Sequence, residues 1–126
     1  QMIADSEEPL KEKLTAYLDL FFEQAKEYPY LEIYIVTQMN QGSCYKDPEM
    51  INQLLGRFYE DISEEMEKGN IQKMQPQQFV INFISLATFP VSMRPLMEQS
   101  MGFTKEEYDK LLEDRKEIIL KMLFKQ

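Results

Sequence analysis

Apolar residues recur at intervals of three and four along most of this chain, and no useful stretch alternates with the period of two that marks a half-buried strand. The first such run is Leu10, Leu14, Tyr17, Leu18, Phe21, Phe22 and Ala25, one wide apolar face on a helix from about Glu7 to Ala25. Ser6 suits its N-cap, and Glu7 and Glu8 favour the positive end of the helix dipole. Tyr28-Pro29 stops it, because the residue before a proline avoids the helical region. A second helix, about Tyr30 to Asn40, carries Ile33, Tyr34, Val36 and Thr37 and breaks at Asn40-Gln41-Gly42-Ser43. Its β-branched and aromatic residues form the one strand-like stretch, but that stretch is short and has no partner elsewhere.

Asp47-Pro48 is a strong start for a third helix, since Asp caps and Pro fits the first helical position. It runs to about Lys68 with Ile51, Leu54, Leu55, Phe58, Ile62 and Met66 turned inward, and Gly69 ends it in a left-handed conformation. A fourth helix begins near Pro76. Phe79, Val80, Phe83, Ile84, Leu86 and Ala87 make it apolar almost all round, which predicts burial on more than one side. Pro90 and Pro95 each remove a backbone donor from what otherwise reads as one helix to Met101, so a kink or break is expected near Leu86 to Pro90. Gly102 closes that segment. Thr104 and Glu107 have capping-box spacing for a last helix to about Phe124, with Tyr108, Leu111, Leu112, Ile118, Ile119, Met122 and Leu123 apolar. The pattern predicts an all-α single domain, an antiparallel bundle of five to six helices.

Composition narrows what such a domain does. Lys and Arg number 14 against 22 Asp and Glu, a net charge of −8 that repels phosphate and argues against nucleic-acid binding by this chain itself. No apolar run approaches the length of a membrane span, and Met2-Ile3-Ala4 is too short for a signal peptide. The single Cys44 cannot form an internal disulfide, which points to a reducing, cytoplasmic setting. The first residue is Gln1, as expected of a fragment.

Candidate chemistry is sparse. With no His, the commonest general base, His-containing zinc motifs and any Cys–His nucleophile are lost. The glycines are too far apart for a phosphate loop. Glu60, Asp61, Glu64 and Glu65 share a helix face, which reads as a solvated surface before it reads as a hard-cation site. Neither catalytic nor metal-binding residues nor a cofactor is expected, and the chain reads as a binding protein and not an enzyme.

Two features suggest binding. Asn82, Ser85 and Thr88 interrupt the apolar fourth helix, so they are either satisfied core polar groups or polar anchors on the wall of a small-molecule cavity. Tyr34, Gln38, Phe58 and Tyr59 on adjacent helices would complete that wall. Second, Phe89, Pro90, Met93, Leu96, Met97 and Met101, together with the apolar residues of the last helix, exceed what the domain's own core requires. The surplus suggests pairing with a second copy about a twofold axis.

Glu27-Tyr28-Pro29-Tyr30-Leu31 resembles the proline-containing hinge between the first two helices of TetR/AcrR-type effector domains. Gln75-Pro76-Gln77-Gln78-Phe79, with Asn82, Ser85-Leu86, Phe89-Pro90 and Arg94-Pro95, is similar to a pattern in one branch of these regulators, as is Glu113-Asp114-Arg115-Lys116. The resemblance spans roughly Ser6 to Phe124 and implies a TetR-like C-terminal domain. It implies an effector pocket between the first, third and fourth helices. Tyr34, Gln38, Phe58, Ile62, Phe79, Asn82, Phe83 and Leu86 are the candidate ligand-binding residues there. It also implies a homodimer through the last two long helices, with Phe89, Met93, Leu96, Met97, Leu111, Leu112, Ile118, Ile119 and Met122 at the interface. The partners so implied are a second copy, a small apolar effector, and DNA only through an N-terminal helix-turn-helix domain for which these residues have no counterpart. The competing expectation is a helical protein–protein interaction module with a filled core and no small ligand.

Overall fold

The computed structural model describes residues 9–41 and 48–125. Six helices lie among them: α1 (Leu10–Glu27), α2 (Leu31–Asn40), α3 (Pro48–Glu67), α4 (Pro76–Ser92), α5 (Arg94–Met101) and α6 (Lys105–Leu123). The chain is all-α, as its periodicity predicts. The expected caps Ser6 and Asp47, and Cys44, lie outside the described residues, as do the side chains of Val36, Ile51 and Leu54.

Helix ends follow local chemistry. α1 stops at Tyr28, one residue before Pro29. α3 ends in a Schellman motif: Gly69 takes a φ of 84°, its N–H donates to Met66 O at 3.1 Å, and Asn70 N–H donates to Glu65 O at 2.9 Å. Gly102, at a φ of 73°, ends α5. Both arms of the capping box are made at the start of α6, with Glu107 N–H donating to Thr104 Oγ1 at 3.1 Å and Thr104 N–H to Glu107 Oε1 at 2.9 Å.

The apolar stripe of α1 contributes to three core clusters in succession. Leu10 and Leu14 pack with Ile62, Met66, Ile71, Phe79 and Phe124; Leu18 packs with Ala87 and Ile119; Ala25 packs with Val91, Tyr108 and Leu112. Lys13 interrupts this stripe, yet it is only 1% exposed, because its ammonium donates to Asp61 on α3 at 2.8 Å. α4 touches each of the other five helices.

Two sequence expectations about α4 need correction. The break falls at Met93 and not between Leu86 and Pro90, and there α4 and α5 are bent by 63°. Pro90 sits within α4 because its missing N–H is compensated: the carbonyl it leaves open, that of Leu86, accepts from Arg115 Nη2 at 2.8 Å. Nor is α4 buried all round, since Ile81, Ile84 and Phe89 are each at least half exposed.

Arg94 fixes the bend. It is buried, lies over the Tyr108 ring, and donates to Glu98 at 3.0 Å, to Asp109 at 2.7 Å and to the Lys105 carbonyl at 3.2 Å. Tyr108 in turn donates its hydroxyl hydrogen to the Pro90 carbonyl, in the last turn of α4 where helical partners run out. Burial alone would raise the pKa of Asp109. Hydrogen bonds from Arg94 and Lys105 outweigh that effect and hold it below the ordinary carboxylate value. A depressed native pKa stabilises the fold above the unfolded value, about 3.9, and that contribution is lost as pH falls through the native one. Asp109→Asn should therefore lower the melting temperature at neutral pH, with the gap to wild type closing on acidification below about pH 4. A gap of constant size down to strongly acidic pH would contradict the assignment.

Candidate ligand groove

The helical registers of α1, α3 and α4 bring one set of side chains around a shared hollow. Leu14 and Tyr17 enter from α1, Leu55, Phe58 and Ile62 from α3, and Phe79, Val80, Phe83 and Ile84 from α4. The groove encloses about 260 Å³ and its wall is entirely apolar. Leu14, Ile62 and Phe79 are buried in its floor, whereas Ile84 stands half exposed at its lip. Tyr17 and Phe58 meet across the α1–α3 seam with ring centroids 5.7 Å apart. The Lys13–Asp61 ion pair lies on the same seam, each member next in the chain to the floor residues Leu14 and Ile62.

Four of the eight residues expected to bind ligand, Phe58, Ile62, Phe79 and Phe83, line this groove. The other four are not among its lining residues. Tyr34 is exposed on α2, and Gln38, half-buried on the same helix, is off the wall. Leu86 packs against the cluster of Leu18, Ala87 and Ile119. Asn82 and Ser85 were expected within a buried segment, but both are exposed, and Asn82 Nδ2 lies 4.0 Å from Met74 Sδ. The reason lies in helix phase. Phe79, Phe83 and Ala87 form one face at spacings of four; Asn82 lies one residue, about 100°, from Phe83, and Ser85 lies two residues, about 160°, from both Phe83 and Ala87, so both turn away from that face.

Sequence reasoning missed Leu14 and Tyr17 as groove residues, having given them to the core face of α1. It also missed Val80 and Ile84, whose signal was present. They are one and five residues beyond Phe79, on the flank of α4 turned towards α3. Lys13 was missed as well, although it sits three residues after Leu10 and four before Tyr17, squarely in the apolar stripe.

The residues expected at a second-copy interface divide in two. Leu112 and Ile119 belong to the chain's own core, Met93 is half-buried at the break between α4 and α5, and Met97 packs, half-buried, on the cluster around Tyr108. Phe89, Leu96, Leu111, Ile118 and Met122 are exposed. In the acidic run of α3, Asp61 is engaged by Lys13, and Glu65 by Lys68 and Asn70. Among the described residues no group of three or more His, Cys, Asp or Glu comes together as a metal site. Among the same residues no single helix is long and apolar enough to cross a membrane.

No known protein family, no characterised protein and no solved structure matches this chain.

The groove's two levels differ in what they do for stability. Ile62→Ala, at 1% exposure, removes tightly packed floor and should cost about 2–5 kcal/mol in urea unfolding. Ile84→Ala, at 50% exposure, should cost less than about 1 kcal/mol. Equal losses at the two positions would show that the groove is closed in solution.

Proposed function

We propose that this chain is the small-molecule-binding and self-associating domain of a TetR-like transcriptional regulator, one whose DNA-reading part is a separate N-terminal domain. The observation that carries this reading is the apolar groove between α1, α3 and α4, in the interhelical position where the resemblance implies an effector pocket. An apolar cavity of 150 Å³ is known to hold a benzene ring. A groove of about 260 Å³ is therefore matched to a compact hydrophobe of about two rings, or to a short alkyl chain. Because no polar group lines the wall, recognition rests on shape and burial, and a ligand's polar part stays at the open side. Ligand in the groove would bear on three helices at once, which is how occupancy could alter the placement of an attached domain. The net charge of −8 supports assigning DNA contact to another part of the protein.

One observation favours a second reading, a protein-interaction module. Tyr28, Tyr30, Leu31, Tyr34 and Ile35 are all exposed around the start of α2, a concentration of aromatic surface that suits a protein partner.

Binding of the neutral fluorophore N-phenyl-1-naphthylamine separates the two. The groove reading predicts saturable binding of one dye per chain in the micromolar range, weakened about tenfold or more by Val80→Trp and left unchanged by Asn82→Ala. No saturable binding by the wild type, or equal binding by Val80→Trp, would contradict it.

A further inference from the structure

The turn between α1 and α2 leaves a second, much smaller hollow with an aromatic and acidic rim. The chain turns sharply after α1, with Leu31 N–H donating to the Tyr28 carbonyl at 3.1 Å. Ala25 is buried at the base of the hollow and Phe21 is half-buried beside it. Gln24, Tyr28, Leu31 and Ile35 stand exposed around them, with Glu32 half-buried in the same wall. The space enclosed is about 20 Å³, less than a tenth of the groove's.

Glu32 is out of place on such a wall. It has no hydrogen-bond or ion-pair partner among the described residues. The first turn of α2 favours a negative charge, yet burial raises the Glu32 pKa above the ordinary carboxylate value. A carboxylate drawn partly out of water without a counter-charge is costly, and a cation that pairs with it recovers part of that cost.

The surroundings carry the same sign. Between Leu20 and Ile35 the charged residues are Glu23, Lys26, Glu27 and Glu32. Lys26 lies about 140° around α1 from Phe21, and it lines a separate hollow with Phe22, Asp109, Leu112 and Glu113 on the side towards α6. Tyr28, Tyr30 and Tyr34 are 55%, 64% and 62% exposed, and Leu31 and Ile35 are 39% each. Together these five side chains expose roughly 500 Å², the size of patch that marks a contact site.

We propose that this corner docks a basic protein segment, seating one of its arginines between Glu32 and the Tyr28 ring while the segment's apolar residues cover Leu31, Tyr34 and Ile35. The proposal rests on the second reading above, gives that partner a chemistry, and is independent of the groove. Three features select this occupant. A space of about one water cannot bury a free molecule, but it takes the tip of a side chain that a larger partner brings. The unpaired carboxylates and the net charge of −8 attract a cationic segment, and they repel a second copy of this corner, a nucleic acid and an anionic lipid surface. Arginine is favoured over lysine because its planar guanidinium stacks on a tyrosine while forking onto a carboxylate.

Fluorescence polarisation with a short fluorescein-labelled amphipathic helix of leucine, alanine and arginine tests this, with lysine replacing arginine in a comparison peptide. Wild type is expected to bind the arginine peptide with a Kd of tens of micromolar and the lysine peptide about fivefold or more weakly. Glu32→Gln should weaken arginine-peptide binding about fivefold or more at unchanged helical circular dichroism. Glu113→Gln, which removes the same charge from an exposed position on α6, should change it less than about twofold. Val80→Trp, which fills the groove, should leave it unchanged. No saturable binding by wild type, equal binding of the two peptides, or equal losses in Glu32→Gln and Glu113→Gln overturns the proposal, the last because net charge alone would then be at work. A loss in Val80→Trp also overturns it, by placing the peptide in the groove. Peptide binding without dye binding supports this corner and refutes the groove, whereas dye binding without peptide binding does the reverse.

Discussion

α4 carries more apolar surface than its neighbours cover. It touches every other described helix, and its residues contribute to all three core clusters, through Phe79, Ala87 and Val91. Yet Ile81, Ile84 and Phe89 remain exposed on it. Burial of a large aliphatic or aromatic side chain is worth about 1.5–3 kcal/mol, so leaving three of them largely in water is a substantial sacrifice for a small domain. The apolar groove borders this helix, where α4 faces α3.

The two prolines near the end of α4 shape how that helix meets its surroundings. Pro90 frees the Leu86 carbonyl, and a cation from α6 satisfies it. Pro95 stands in the first turn of α5, where a missing N–H is harmless. The bend between them is held by Arg94, which has acceptors on α5 and α6 and an aromatic ring beneath it. Removing one partner from a buried charge network of this kind is more damaging than replacing all of it with well-packed apolar groups. The bend is therefore fastened by contacts from both neighbouring helices, and Leu96 just beyond it stays exposed.

Much of this fold was legible in the sequence because its signals are local. Pro29, Gly69, Gly102 and the Thr104–Glu107 box act through backbone geometry within a few residues, and each lies where its chemistry predicts. The apolar stripe of α1 was legible for the same reason. The break in α4 was less so: a proline shows that a donor is missing but not that Arg115, 25 positions on, will replace it. The candidate site was half legible. Phe58, Ile62, Phe79 and Phe83 follow from periodicity, but Asn82 was read as buried because α4 is apolar in composition. Which side of an apolar helix its neighbours cover is a tertiary property, and at Asn82 and Ser85 the polar residues mark the side turned to water.

The central claim is that the surface between α1, α3 and α4 receives an apolar molecule. Methyl-resolved NMR during titration with 2-methylnaphthalene reads it residue by residue. The account predicts that the methyl signals of Ile62, Val80 and Ile84 shift together and saturate, while those of Ile118 and Ile119 stay in place. Absent shifts, or shifts spread equally over Ile118 and Ile119, would contradict it.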